Sequence, residues 1–374
     1  MLGIYIHIPF CLSKCPYCNF NSYPINPVPE KEYIESVIKE IENISEKIDK
    51  KVSSIYFGGG TPSIFSESSI YSIINTINKG FKMENSLEIT LEMNPSTVIK
   101  EKSLNLYKIG INRINIGVQS FNDITLKNLG RIHSSKDAIK SYENIREAGF
   151  NNVGIDIMIS PPFQSMGELS VDLNLLLSLK PEHISIYNLT IEKDTRFYNK
   201  ISIDEDLQLN MFLSANDFLK TSGYNHYEIS NYSIPGYESI HNINYWVRGE
   251  YIGFGAGAHS FLKDYKWGRR WKNISDPIKY IENINNYGKA VSDTEILSKR
   301  EAIEERIFLG LRLIKGLKLE DFFIEFGIPL NFIFNKEIEE LTGDGFILVD
   351  DEYIKLTERG LILSNEVFVK LSLS

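Results

Sequence analysis

One alternation limits the fold more than anything else in this chain. Six short apolar runs, at 4–8, 52–57, 86–92, 113–118, 153–159 and 183–187, fill the first half. Each is followed by a stretch of helical character, at 30–50, 66–78, 99–109, 136–148, 166–179 and 206–221. Between 30 and 50, for example, apolar residues recur at Tyr33, Ile34, Val37, Ile38, Ile41, Ile44 and Ile48, which is the spacing of one helix face. Gly110 stands where the third helix should be capped. Strands alternating with helices imply a parallel sheet with right-handed crossovers. The pattern alone leaves both a doubly wound sheet and a β/α barrel open.

After Gly223 the alternation loosens. Residues 224–293 are rich in Tyr, Asn and Gly, and are read as an extension of the sheet that wraps the mouth of the βα unit. Residues 294–374 read as a separate small unit. It should hold helices at 295–313, 319–326 and 332–342, a hairpin from 346–349 and 353–356 around an acidic turn, and a last helix capped by Thr357. Three helices and a hairpin suggest a winged-helix-like α+β domain. The expected division is therefore 1–223, 224–293 and 294–374.

Cys11, Cys15 and Cys18 are the only cysteines in 374 residues. An odd count argues against a disulfide framework, and a chain this long has no need of one. Structural zinc normally takes four ligands, and no fourth cysteine exists to supply one. Three thiolates at C-x3-C-x2-C spacing can hold three corners of a cubic [4Fe-4S] cluster, leaving the fourth iron open. Zinc completed by a histidine such as His7, or three cysteines buried in a core, are the competing readings.

Other candidate residues follow the ends of the strands, where a barrel-type site would lie. Gly58-Gly59-Gly60-Thr61-Pro62 lacks the Lys-Ser/Thr ending of a P-loop, but its glycines let backbone approach a ligand. Glu92 ends the third strand, Gln119 ends the fourth, and Arg131 follows shortly after. Asp156 lies between Ile155 and Ile157, and a carboxylate in an apolar strand needs a partner. Gly253-Phe254-Gly255-Ala256-Gly257 is not read as a dinucleotide fingerprint, because no suitable βαβ unit follows it.

Bulk composition narrows the function classes. Hydrophobic residues are 43% and charged residues 24%, as in ordinary globular proteins. A net charge of -9 does not fit a nucleic-acid binder. No apolar run approaches the length of a membrane span, and no signal peptide is read at the start. Oxidation-sensitive cysteines fit a reducing compartment, so a cytoplasmic location is expected.

CxxxCxxC just after an N-terminal strand resembles the radical S-adenosylmethionine (SAM) superfamily. The resemblance implies an α/β fold, a partial (β/α)6 barrel, with a [4Fe-4S] cluster on Cys11, Cys15 and Cys18. In that family the methionine amino and carboxylate groups of SAM chelate the fourth iron, and an electron from the cluster yields a 5′-deoxyadenosyl radical. By the same resemblance Gly59, Gly60 and Thr61 meet the SAM amino group. Glu92 accepts from an ammonium or ribose, Arg131 pairs the carboxylate with its bidentate fork, and Asp156 holds the ribose diol. Gln119 and Tyr5 match site positions near the cofactor.

These placements are similar to the oxygen-independent coproporphyrinogen III oxidase branch, which has two close subgroups. One is the oxidase, which decarboxylates two propionates. The other is the oxidase-like heme chaperone, which binds heme and passes it to heme-requiring proteins. The oxidase typically continues the cysteine motif with a further cysteine, where this chain has Phe20. His241-Asn242-Ile243-Asn244-Tyr245-Trp246 matches the HNxxYW motif of the chaperones, whose histidine is the proposed heme ligand. The resemblance thus implies heme as a third cofactor with His241 on its iron. It implies heme-accepting proteins as partners, membrane-bound respiratory components among them, and a homodimer. One departure stands out. A Gly-Leu-Pro-Gly-Gln type loop usually follows the fifth strand, and here it is Ser160-Pro161-Pro162-Phe163-Gln164. Replacing both glycines should stiffen and fill that loop.

Overall fold

The computed structural model describes residues 1–24 and 26–373. Strand β1 (Leu2–Ile8) leads through the cysteine loop into α1 (Glu30–Ser45), and β2 (Lys51–Gly59) leads into α2 (Glu67–Gly80). Next come β3 (Lys82–Met93) with α3 (Lys100–Lys108), and β4 (Arg113–Gln119) with α4 (Asp123–Asn128) and α5 (Ser135–Glu147). Then β5 (Val153–Ile159) precedes α6 (Met166–Leu179), and β6 (His183–Asn188) precedes α7 (Glu205–Thr221). Helix starts follow the local chemistry. Ser66 caps α2, and Ser134 with Asp137 and Ser165 with Glu168 form capping boxes at α5 and α6.

The middle stretch supplies β7 (Asn225–Glu228), β8 (Asn231–Ser233), α8 (Ile240–Trp246), β9 (Glu250–Phe254), β10 (His259–Leu262), β11 (Arg269–Asn273), α9 (Pro277–Tyr287) and β12 (Val291–Ile296). One twelve-stranded sheet results, in the order β12-β11-β10-β9-β1-β2-β3-β4-β5-β6-β8-β7. Strands β1 to β6 are parallel neighbours in sequence order, which is the order of a β/α barrel rather than of a doubly wound sheet. Strands β7 and β8 extend the sheet at one edge and β9 to β12 at the other. The HNxxYW helix α8 does not wrap the mouth, however. It lies away from the cysteine loop, with the His241 ring against Gly3 near the start of β1 and the α8 backbone on Glu88 in the middle of β3.

The strands place their side chains by the simple period of two. Ile4, Ile6 and Ile8 point from β1 into a core shared with Tyr33, Val37 and Ile41 of α1. Ile114, Ile116 and Val118 of β4 and Ile155, Ile157 and Ile159 of β5 do the same. The alternate positions are polar. Tyr5 and His7, Ser54 and Tyr56, Glu88, Thr90 and Glu92, Asn115, Asp156 and Ser185 therefore share the opposite, inner face. A sheet with one oily face under helices and one polar face inside is built to surround a polar ligand.

The C-terminal stretch has its own core. Helix α10 (Lys299–Gly310) precedes β13 (Leu317–Lys318), α11 (Leu319–Phe326) and α12 (Leu330–Gly343). Then come β14 (Ile347–Val349), β15 (Tyr353–Leu356), α13 (Glu358–Ile362) and α14 (Ser364–Lys370). Strands β13, β15 and β14 form a small antiparallel sheet, and Ile303, Ile307, Phe322, Phe326, Ile354 and Val367 fill the space beneath it. Thr357 caps α13 as expected, accepting from the Gly360 amide. The helix expected at 295–313 is shorter, because 291–296 pairs with β11 and Ser298 starts the helix in a capping box with Glu301.

Candidate cofactor site

The C-terminal ends of β1 to β6 open onto a cavity of about 460 Å³. Cys11, Cys15, Cys18, Gly59, Gly60, Thr61, Glu92, Gln119, Arg131 and Asp156 all line it. Ten of the twelve residues singled out from the sequence are thus brought to one place from five strands. Tyr5 and His241 are the two that are not.

The cysteine loop is held from below and from the side. His7 Nε2 donates to the Asn21 carbonyl at 2.8 Å, so its Nδ1 is the acceptor for the Tyr5 hydroxyl at 3.0 Å. Burial pushes His7 down to about 4, which keeps it neutral. The Asn21 amide in turn donates to the carbonyls of Ala256 and Ser275, each at 3.0 Å. This explains the glycine-rich 253–257 segment. A Cβ at Gly257 would lie 2.3 Å from Asn21, and one at Gly255 2.5 Å from the His7 carbonyl oxygen. The segment packs against the cysteine loop.

The three sulfurs have different neighbours. Thr61 Oγ1 donates to Cys11 Sγ at 3.6 Å, Ser22 Oγ lies 3.8 Å from Cys18 Sγ, and Arg131 Nη1 donates to Cys15 Sγ at 3.6 Å. Burial raises the Cys11 thiol, so metal binding would have to displace its proton. Among the described residues no three His, Cys, Asp or Glu side chains converge on a point that would suit a single metal ion. Three soft thiolates around one cavity suit an iron–sulfur cluster, in which each takes a different iron.

Beside the sulfurs, Gly60 has no room for a side chain. A Cβ there would lie 2.6 Å from the Phe10 carbonyl oxygen and 3.0 Å from Cys11 Sγ. The carboxylates lie deeper. Tyr56 donates to Glu92 Oε1 at 2.7 Å, and burial, with Asp156 nearby, raises Glu92 to about 7. Asp156 is also raised by burial, and Asn115 donates to its Oδ2 at 2.7 Å. Its Oδ1 is buried without a partner, as are Asn115 Oδ1 and Arg131 Nε. Unpaired buried acceptors and donors around a cavity are what a polar ligand would complete. Gln119 carries a left-handed φ of 71° at the end of β4, a strain of the kind found where a side chain must be aimed.

Tyr5 lies one layer below the cavity. Its ring stacks on Tyr56, which does line the cavity, at 6.2 Å between centroids. His241 is deeper still and 1% exposed. Its Nδ1 is bonded to Ser54 Oγ at 2.8 Å and its Nε2 to the Tyr245 hydroxyl at 2.9 Å, while its ring stacks on Tyr56 at 5.0 Å. Burial, then the Arg113 charge, lowers it to about 3. Tyr56, Asn115 and Tyr187 are cavity residues that motif reading missed. Their signal was the polar half of the strand alternation, which recurs at 54/56, 88/90/92 and 183/185/187.

Comparison with known proteins decides among families with this geometry. The radical SAM superfamily pattern matches residues 5–176, and the HemN C-terminal domain pattern matches 297–363. Heme chaperone HemW of Bacillus subtilis (strain 168) is 36% identical over 376 residues, covering 98% of this chain and 98% of that one. The chain belongs to the radical SAM superfamily, in its HemW subgroup. Heme chaperone HemW of Escherichia coli (strain K12) is 32% identical over 98% of this chain and 97% of its own. A solved structure, described as "Coproporphyrinogen III oxidase (HemN) from Escherichia coli is a Radical SAM enzyme", superposes with a TM-score of 0.87. It covers 99% of this chain and 90% of that chain at 21% identity. At that identity the likeness to the oxidase shows a shared fold and no more. The radical SAM fold expected from the cysteine motif is therefore found.

Proposed function

We propose that the protein is a heme chaperone that binds heme and hands it to acceptor proteins, while carrying a [4Fe-4S] cluster and SAM. The observation that carries this reading is full-length similarity at 36% identity to a protein named Heme chaperone HemW. Phe20, where the oxidase subgroup is expected to have a further cysteine, supports the same side.

On this reading Cys11, Cys15 and Cys18 hold the cluster. Gly59, Gly60, Thr61, Glu92, Gln119, Arg131 and Asp156 receive SAM, with Tyr5 supporting from below. The unpartnered Asp156 Oδ1 supports a ribose hydroxyl there. The bound cluster supplies a single electron. His241 is the proposed heme ligand, and because both its nitrogens are bonded, ligation requires Tyr245 or Ser54 to let go. The unit from 294 to 374 is read as a winged-helix-like packing module beside 1–223 and 224–293. A cytoplasmic location, heme-accepting partner proteins and a homodimer complete the reading. Among the described residues no helix is long and apolar enough to cross a membrane.

The alternative is oxygen-independent coproporphyrinogen III oxidation. One anaerobic experiment on reconstituted protein separates the two. Heme is titrated optically, with His241→Ala alongside, and coproporphyrinogen III decarboxylation is assayed in the same preparation. Stoichiometric heme binding weakened by the substitution, with no decarboxylated product, is the expected result. Turnover to protoporphyrinogen IX would make this an oxidase.

A further inference from the structure

The segment from Cys15 to Tyr17 is clamped in a way that SAM binding does not require. Gly130 has a left-handed φ of 68°, and a Cβ there would lie 2.6 Å from Pro16 Cδ. That close approach carries Arg131 across the cysteine loop. Its two arms are then divided, with Nη1 donating to Cys15 Sγ at 3.6 Å and Nη2 donating to the Gly117 carbonyl at 2.6 Å. Tyr17 lines the same cavity as Cys15 and Arg131. Phe197 fixes Tyr17. Its amide donates to the Pro16 carbonyl at 3.1 Å, and its ring lies 6.4 Å from the Tyr17 ring. Among the described residues, Cys15 is thus the one sulfur of the three with a charged donor. Cys11 and Cys18 have only hydroxyls.

We propose that Arg131 is a positioning residue that donates a hydrogen bond to the Cys15 thiolate and so sets the reduction potential of the cluster. The proposal rests on the cluster reading above. Hydrogen bonds to a cluster's sulfurs are among the factors that set its potential, because they draw electron density from the ligand. A fixed cation beside the cluster also favours the more negative, reduced state. An undivided fork would suit a SAM carboxylate alone. A fork with one arm on sulfur and one on the end of β4 ties the cluster ligand to the sheet.

The test uses the full chain, reconstituted anaerobically without SAM. Iron and sulfide per chain are measured first, and then the midpoint potential by a redox titration followed by electron paramagnetic resonance. Wild type is compared with Arg131→Gln and Arg131→Lys. Arg131→Gln should hold a full cluster and titrate at a more negative potential, and Arg131→Lys, which keeps the charge, should recover part of the shift. Full clusters that titrate with wild type would overturn the proposal, as would folded variants that hold no iron. If Arg131→Gln does not fold, Arg131→Lys decides alone, because it keeps the charge and loses the divided fork; a full cluster with the wild-type potential would then overturn the proposal. Failure of the wild type to take up four irons would instead sink the cluster reading itself.

Discussion

The two ends of the inner face are built on opposite principles. On the cavity side, Asp156, Asn115 and Arg131 each keep a buried polar atom without a partner. At the N-terminal ends, polar groups are matched. Glu88 accepts from the amides of Ile240 and His241 and from Ser239, and lies 3.8 Å from Arg113. His241 has both nitrogens bonded, and Arg248, two residues past the HNxxYW motif, meets Glu305, Glu325 and the Trp267 carbonyl. The contrast is one of degree, since Arg113 Nε, His183 Nδ1, Glu228 Oε2, Trp246 Nε1 and Arg306 Nε also lack hydrogen-bond partners. Even so, the first end is arranged to receive a ligand as it stands, and the second is arranged to stay shut. A heme site at His241 would have to be opened before it could be filled.

If the shut end is held by its ion pairs, breaking them should have the largest effect. Arg248 is 2% exposed, and Arg248→Ala leaves two carboxylates facing a lost charge. Removing one partner of a buried pair typically costs 3–5 kcal/mol. Here Arg270 remains on Glu305, and Lys263 and Arg306 remain near Glu325, so about 3 kcal/mol is expected. Denaturant unfolding measures it, and a loss below about 1 kcal/mol would mean the network does not hold this end.

The open end should reveal itself through pH. Glu92 is raised to about 7 by burial, so between its unfolded value near 4.5 and 7 the folded chain binds the extra proton. Stability from this group is present below that window and is lost as pH rises through it, on the order of 2 kcal/mol after allowing for partial exposure. The buried histidines act in the opposite sense. His7, His133 and His226, lowered to about 4, and His241, lowered to about 3, cost stability as pH falls below 6.5. The informative quantity is therefore a difference. Glu92→Gln should gain stability relative to wild type between pH 5 and 7.5, and a constant offset across that range would show that Glu92 stays ionised.

A smaller effect sharpens the question of His241. Tyr245→Phe frees Nε2 while leaving the Tyr245–Tyr251 ring contact in place. One hydrogen bond is worth about 0.5–1.5 kcal/mol net. If that bond opposes heme ligation, the variant should bind heme roughly 2- to 10-fold more tightly in an optical titration. Weaker binding would make Tyr245 part of the heme site instead of its latch.

What the sequence could disclose depended on distance along the chain. The cysteine spacing, the GGGTP turn and the six strand–helix units are local patterns, and all are found in the fold. Helix α1 stops at Ser45, short of the 30–50 that its pattern predicts, although Ile48 keeps the apolar rhythm. Strand β12 carried no signal, since all six of its residues are exposed and none alternates. The burial of His241 could not be read at all. It depends on α8 settling against Gly3 and Ser54, which lie about two hundred residues earlier, and a motif in isolation does not show which face is covered.

The loop after β5 joins both lessons and carries the mildest prediction. Replacing both glycines there should stiffen and fill the loop. Ser160 and Phe163 themselves take left-handed backbone, with φ of 58° and 70°. Gln164 secures the turn by accepting from the Ser160 amide at 3.0 Å, so the loop keeps a glycine conformation without glycine. That conformation costs an L-residue roughly 1 kcal/mol. Phe163 is 86% exposed, so trimming it removes little packing. Phe163→Gly should therefore raise stability by a few tenths to about 1 kcal/mol, the relief of strain being partly offset by the greater freedom glycine gives the unfolded chain. Ser160→Gly is buried and should respond less. Destabilisation by Phe163→Gly would mean that the exposed ring contributes something its surroundings do not show, and the edge of the open end would then be where to look for it.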